Sequence, residues 1–230
     1  MTPLDRPVWA SLTGAHAHLA QGEGNARRYR PEVNVFIAGA SEAPETLAAM
    51  AELVGDEPAY VVQAAPIPDL PGLATTMRRA AVQMVFAGKM PSGDDAEIVS
   101  LDAAAAAEML ALATLTEPGP FRRETRLMGP FFGVRRAGRL AAMAGERMHP
   151  PGHAELSGVC THPDFRGQGL GRRLSAYKTR AILERGETPF LHAWQDNAGA
   201  IALYEKLGYR IRCEMNVAVF ERLASQTTAD

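Results

Sequence analysis

The segment Arg166-Gly167-Gln168-Gly169-Leu170-Gly171 constrains this chain more than any other. Before it, the run from Ala154 to Thr161 is short, largely apolar and closed by Pro163, which cannot donate to a sheet ladder, so a buried strand is expected there. After it, Leu170, Leu174, Tyr177, Ala181 and Ile182 recur at helical spacing until Gly186, a C-cap. A strand, a turn of alternating glycines and a helix N-terminus together make an anion site. Glycines let the backbone approach a ligand, unpaired amides point outward, and the helix dipole favours negative charge. A phosphate or pyrophosphate is the expected guest. The alternative is a tight strand-to-helix connection that binds nothing.

Two familiar phosphate motifs fail on spacing. A P-loop requires Lys-Ser or Lys-Thr directly after its glycines, whereas Lys178-Thr179 lies well down the helix. A dinucleotide fingerprint starting at Gly167 and Gly169 requires glycine at position 172, where Arg172 stands. What remains is Arg-x-x-Gly-x-Gly after Val159-Cys160-Thr161-His162-Pro163. This resembles the coenzyme A signature of the GNAT superfamily of N-acyltransferases. A second apolar run, Thr188 to Trp194, is followed by Asn197, Ala200, Tyr204, Gly208 and Tyr209, which resembles the later Asn-x-x-Ala-x-x-x-Tyr segment of the same families. The resemblance covers the C-terminal half.

At 230 residues the chain can form one large domain or two small ones, and a net charge of -2 gives no reason to expect nucleic acid or an anionic membrane as partner. Two cysteines, Cys160 and Cys213, are too few for a disulfide framework. Reduced thiols, the absence of a signal-peptide pattern and the lack of a membrane-length apolar run predict a cytoplasmic protein.

In chain order, the pattern predicts a helix from Pro7 to Ala20, a strand over Val33 to Ala38 and a helix capped by Ser41 or Glu42 through Leu53. Further strands are expected at Tyr60 to Ala65 and Gln83 to Ala87. Residues 1–92 thus read as a smaller N-terminal α/β unit, an accessory domain or a degenerate copy of the fold that follows. Pro91 to Asp95 is the linker candidate. Residues 93–224 then form the main domain and 225–230 a tail. Within it the pattern gives a strand at Glu97 to Leu101, an alanine-rich helix capped by Asp102 through Leu115, and a second helix over Phe121 to Leu127. A hairpin joins Phe131 to Arg135 and Leu140 to Met148 through Ala137-Gly138.

The resemblance implies an α/β (α+β) acyltransferase fold: a mixed, mainly antiparallel sheet with splayed central strands, flanked by helices. It implies acetyl-CoA as co-substrate and no metal. The pyrophosphate would sit on Arg166, Gly167, Gln168, Gly169, Leu170, Gly171 and Arg172, and the pantetheine arm on the main chain of Val159, Cys160 and Thr161. Gly158 suggests a bulge in that strand. Tyr204 is the expected general acid, the alternative being a packing residue beside Leu203 and Leu207. Asn197 would bind pantetheine, cap the next helix, or do both.

The resemblance makes Glu155 the candidate general base, on the expectation that burial raises its pKa; the alternatives are a solvated strand-end carboxylate and deprotonation of the amine through water. His192 and Trp194 alternate with Phe190 on the Thr188 to Trp194 run, either facing the acceptor slot or, for His192, standing as a satisfied core histidine. His149 and His153 flank a Pro-Pro-Gly turn without a third metal ligand in view, and Cys160 reads as a small apolar residue. The expected reaction is direct transfer of acetyl to a primary amine of a small molecule or peptide, in a monomer or homodimer. A non-catalytic coenzyme A sensor is the alternative.

Overall fold

The computed structural model describes residues 2–93 and 95–223; the tail expected at 225–230 lies outside them. The first elements are α1 (Pro7–Leu12) and three short strands, β1 (Ala20–Gln21), β2 (Ala26–Tyr29) and β3 (Ile37–Gly39), which pair as a small sheet. Next come α2 (Pro44–Leu53), β4 (Ala59–Gln63), β5 (Leu73–Phe86), β6 (Ile98–Leu101) and α3 (Ala106–Thr116). The motif-bearing part contains β7 (Phe131–Arg136), β8 (Arg139–Glu146), β9 (His153–Thr161), α4 (Leu170–Glu184), β10 (Thr188–Trp194), α5 (Ala198–Leu207) and β11 (Tyr209–Arg222). The large sheet has eight strands in the order β4-β11-β5-β10-β9-β8-β7-β6. All its pairs are antiparallel except β9 with β10. No helix among the described residues is long and apolar enough to cross a membrane.

Local chemistry explains most boundaries. Ala137 and Gly138 take φ of 48° and 76°, the paired left-handed geometry that lets a two-residue turn follow the strand twist of a hairpin. The Asp102 carboxylate accepts the Ala104 amide at 2.9 Å, as expected of a cap, although the first turn is 3₁₀ and α3 begins at Ala106. The helix expected over Phe121 to Leu127 is only a 3₁₀ turn, Thr125–Met128. Here the Thr125 hydroxyl accepts the Arg122 amide and donates to the Val33 carbonyl, both at 2.7 Å, so side-chain bonding replaces the helical ladder. The helix expected from Pro7 to Ala20 stops at Leu12, and a separate 3₁₀ turn covers Ala17–Leu19.

The boundary expected at residue 92 runs through a single sheet. β5 precedes it in sequence yet lies between β10 and β11, and pairs with β11 from Phe86 opposite Tyr209 to Leu73 opposite Arg222. Its outer half, with Arg78 and Arg79, is only partly covered, and the expected strand was limited to its buried end. The core is shared in the same way: Leu4, Val8, Leu12, Tyr29 and Phe36 pack with Met128, Met148, Phe190 and Met215. Behind the sheet, Lys178 of α4 and Glu146 of β8, both without exposed side-chain surface, form an ion pair that Arg185 joins at 2.8 Å.

A chain beginning at residue 93 would lack β4 and β5, expose the edges of β10 and β11, and open the shared core. It is expected to be insoluble or to lose cooperative thermal unfolding. A soluble truncation with a sharp circular-dichroism melt would refute the shared-sheet account.

Candidate active site

The site begins where two neighbouring strands separate. β9 and β10 pair only from His153 opposite Thr188 to Glu155 opposite Phe190. Beyond that point β10 continues along β5, and β9 continues along β8. The register of β8 against β9 slips between Met143 and Gly145, and Gly158 on the opposite strand takes φ of 62°. This is the expected bulge. A Cβ on Gly158 would stand 2.9 Å from Phe131 Cε1, so glycine is also required by space.

A cavity of about 220 Å³ occupies the fork. Its walls include Leu156 to Val159 of β9, His192 to Trp194 of β10, and Asn197, Ala200 and Tyr204 of α5. The turn Glu117 to Pro120 forms another wall, and Phe36, Tyr60, Val62 and Ala81 come from the first third of the chain. Val159, Asn197, Tyr204, His192 and Trp194 therefore line one cavity.

Tyr204 is substantially buried there, its ring edge-on to Tyr209 at 5.9 Å between centroids. Burial pushes its phenol up to about 12, so it enters the cavity as a neutral proton donor at physiological pH. Asn197 accepts the Ala200 amide through Oδ1 at 3.0 Å, the capping role, and leaves Nδ2 without a partner among the described residues. The Cys160 thiol is buried and pushed up to about 11, which suits an apolar filler and not a nucleophile.

The glycine turn lies at the far end of β9. Gly167 and Gly169 take φ of 77° and 72° with open space where a Cβ would be, so backbone conformation is the reason for glycine at both positions. A Cβ on Gly171 would stand 3.6 Å from Thr161 Oγ1 and 3.8 Å from Val159 Cγ1, which seats the start of α4 against the strand. The Arg173 amide donates to the Gly169 carbonyl at 3.0 Å and closes the first turn. The amides of Leu170, Gly171 and Arg172 then have no intrahelical acceptor. Arg166 and Arg172 are exposed and make no ion pair among the described residues.

Glu155 corrects one expectation. Its side chain has no exposed surface, and it is gripped by Arg147, with Nε on Oε2 at 2.9 Å and Nη2 on Oε1 at 2.6 Å. His192 Nδ1 lies 2.7 Å from Oε1. Burial alone would raise its pKa, but the charge and hydrogen bonds of Arg147, joined by those of His192, hold it at about 2. A carboxylate so stabilised is a poor proton acceptor, and Glu155 is not among the residues lining the cavity.

The protonation of His192 follows from its neighbours. Arg212 Nη1 donates to Gln83 Oε1 at 2.8 Å, which fixes the amide so that Gln83 Nε2 donates to the Leu4 carbonyl at 2.9 Å and to His192 Nε2 at 3.1 Å. His192 therefore accepts at Nε2 and donates from Nδ1 to Glu155. It is a wall of the cavity with both ring nitrogens engaged.

Arg147 is the residue sequence reasoning missed. Its signal was a pair of adjacent charges, Glu146 and Arg147, near the end of an otherwise apolar strand run, Leu140 to Met148. His149 and His153 do not converge: His149 Nε2 sits 3.1 Å from Glu146, and His153 Nδ1 sits 2.8 Å from the Pro151 carbonyl.

Comparison with known proteins places the fold around this fork. A family model described as FR47-like protein matches residues 131–218. A solved GNAT-family protein from Novosphingobium aromaticivorans is 44% identical with a TM-score of 0.91, over 97% of this chain and 100% of that one. The chain belongs to the GNAT family. A GCN5-related N-acetyltransferase from Kribbella flavida, 21% identical with a TM-score of 0.63 over 96% of each chain, shares the fold.

N-alpha-acetyltransferase RimI of Mycobacterium tuberculosis is 35% identical over 101 residues, 40% of this chain and 60% of that protein. The [ribosomal protein bS18]-alanine N-acetyltransferase of Escherichia coli is 37% identical over 79 residues, 34% of this chain and 53% of that protein. The match thus spans 60% or less of these two relatives' own length.

Because the folded pKa of Glu155 lies near 2 and its ordinary value is 4.5, the unfolded chain binds more protons between those values. Stability from this group is complete above pH 4.5 and is lost as the pH falls toward 2. Glu155→Gln should flatten that acid limb in thermal melts and cost roughly 3 kcal/mol at pH 7, because Arg147 is left buried without its counter-charge. Unchanged stability of the variant at pH 7 would contradict the pairing.

Proposed function

We propose that this protein is an acetyl-CoA-dependent N-acetyltransferase that acetylates a primary amine of a small molecule or peptide by direct transfer in a ternary complex. The observation that supports this is an amide-lined turn and a cavity lying at two points along one strand, β9. The open amides from Gly167 to Arg172 lie at its C-terminal end, and the cavity holding Tyr204 lies at the fork. The pyrophosphate would rest on those amides with Arg166 and Arg172 beside it. The β9 edge has no β10 partner beyond Glu155, which leaves main-chain groups of Val159 and Thr161 for the pantetheine amides, whereas those of Cys160, opposite Met143, turn toward β8. Asn197 Nδ2 is a further donor on that path.

In the reaction, the neutral nitrogen of the acceptor attacks the thioester carbonyl carbon. The N–C bond forms, the C–S bond breaks, and the leaving sulfur takes the phenolic proton of Tyr204. The proton released by the nitrogen passes to water at the open mouth, and solvent reprotonates the phenolate. Glu117, exposed at the cavity rim, is a carboxylate that can assist this exit. Glu155 acts as a positioning residue through Arg147 and His192.

Tyr204→Phe should lower kcat about a hundredfold in a thiol-release assay while thermal stabilisation by coenzyme A persists. Coenzyme A binding without thiol release from any amine in the wild type would favour a sensor over an enzyme. No stabilisation by coenzyme A at millimolar concentration would reject both.

A further inference from the structure

Arg147 spends only one edge of its guanidinium on Glu155. Nε and Nη2 form the two-point pair, and Nη1 has no hydrogen bond among the described residues. That nitrogen lies toward the Glu117 to Pro120 turn, 3.8 Å from where a Cβ on Gly119 would stand, and both Arg147 and Gly119 line the cavity. The plane is held in place. Its charged centre sits 5.0 Å from the Phe36 ring centroid, and the side chain is 13% exposed. The cavity wall therefore carries a fixed pair of N–H donors that have no partner among the described residues.

The charge balance says which kind of oxygen suits them. Glu155 already neutralises Arg147, and both ring nitrogens of His192 are engaged, so the guanidinium has no charge to spare for a second anion. A carboxylate on the acceptor would place a second negative charge beside buried Glu155 across a single guanidinium, at a cost in desolvation and like-charge repulsion. A neutral carbonyl oxygen takes the Nη1 protons and adds no charge. In a cavity of about 220 Å³ that must also admit a thioester, the oxygen has to belong to the same small unit as the reacting amine.

Resting on the acetyltransferase reading, we propose that Arg147 Nη1 is the acceptor-recognition donor, and that the preferred acceptor is the α-amine of a peptide or amino-acid amide, identified by its neutral carbonyl. Free amino acids and simple alkylamines are discriminated against. The first bring an uncompensated carboxylate, and the second leave the donors unpaired.

Matched trios test this: alaninamide, alanine and ethylamine, with the corresponding leucine set, assayed by thiol release from acetyl-CoA and normalised to the neutral fraction of each amine. The expected result is a kcat/KM for the amide at least tenfold above both trio partners. Equal values for amide and alkylamine, or a preference for the free acid, would overturn this proposal and leave the acetyltransferase reading standing. Absence of turnover on all six amines with coenzyme A still bound would overturn both. Arg147→Lys keeps a cation for Glu155 and loses the second edge of the fork. In that variant the amide-to-alkylamine ratio should fall toward one, with coenzyme A stabilisation retained. A uniform loss on every amine that preserves the ratio would mark Arg147 as merely structural.

Discussion

One lateral row of polar side chains holds the fork open. It runs from Arg147, next to the end of β8, to Glu155 on β9, His192 on β10, Gln83 on β5 and Arg212 on β11, and ends on Asp5 near the start of the chain. From Arg147 to Gln83 the row lies inside the protein, where an unpaired member costs far more than in water, whereas the Arg212–Asp5 end is partly exposed. It crosses the sheet at the last paired position of β9 and β10, Glu155 opposite Phe190. The strands can diverge just beyond because side-chain bonds have already fixed their spacing. The cavity is thus a consequence of where the sheet's polar row lies.

That row also explains why the first third of the chain is inseparable from the rest. Gln83 orients His192 and is itself oriented by Arg212 and by the Leu4 carbonyl. Phe36 and Tyr60 then close one side of the cavity. The motif-bearing strands supply another side, so the wall is built from both halves of the chain.

What was legible in the sequence was what is local. The glycine turn, the Ala137-Gly138 hairpin, the Asn197 cap and the helix after Gly169 each follow from residues within a few positions of one another, and all form as expected. β11 was missed beyond Tyr209, although Ile211, Cys213, Met215 and Val217 alternate with Arg210, Arg212, Glu214 and Asn216 at period two. The burial of Glu155 was legible but its ionisation was not. That depends on Arg147 across a hairpin and on His192, 37 residues away, and no local pattern encodes either distance. The domain boundary failed for the same reason: strand order is a non-local property, and Pro91 to Gly93 look like a linker whichever sheet the flanking strands join.

The strand order carries a consequence for how the molecule is made. β4 and β5 are synthesised early, yet their ladder partners in the large sheet are β10 and β11, the last strands in the chain. Until residues 216–220 have left the ribosome, β4 has no ladder partner in the large sheet, and β5 has none before residues 190–194. Both are then bare edges open to other chains. The ribosome therefore releases this sheet almost whole, and nascent-chain chaperones become part of its practical stability.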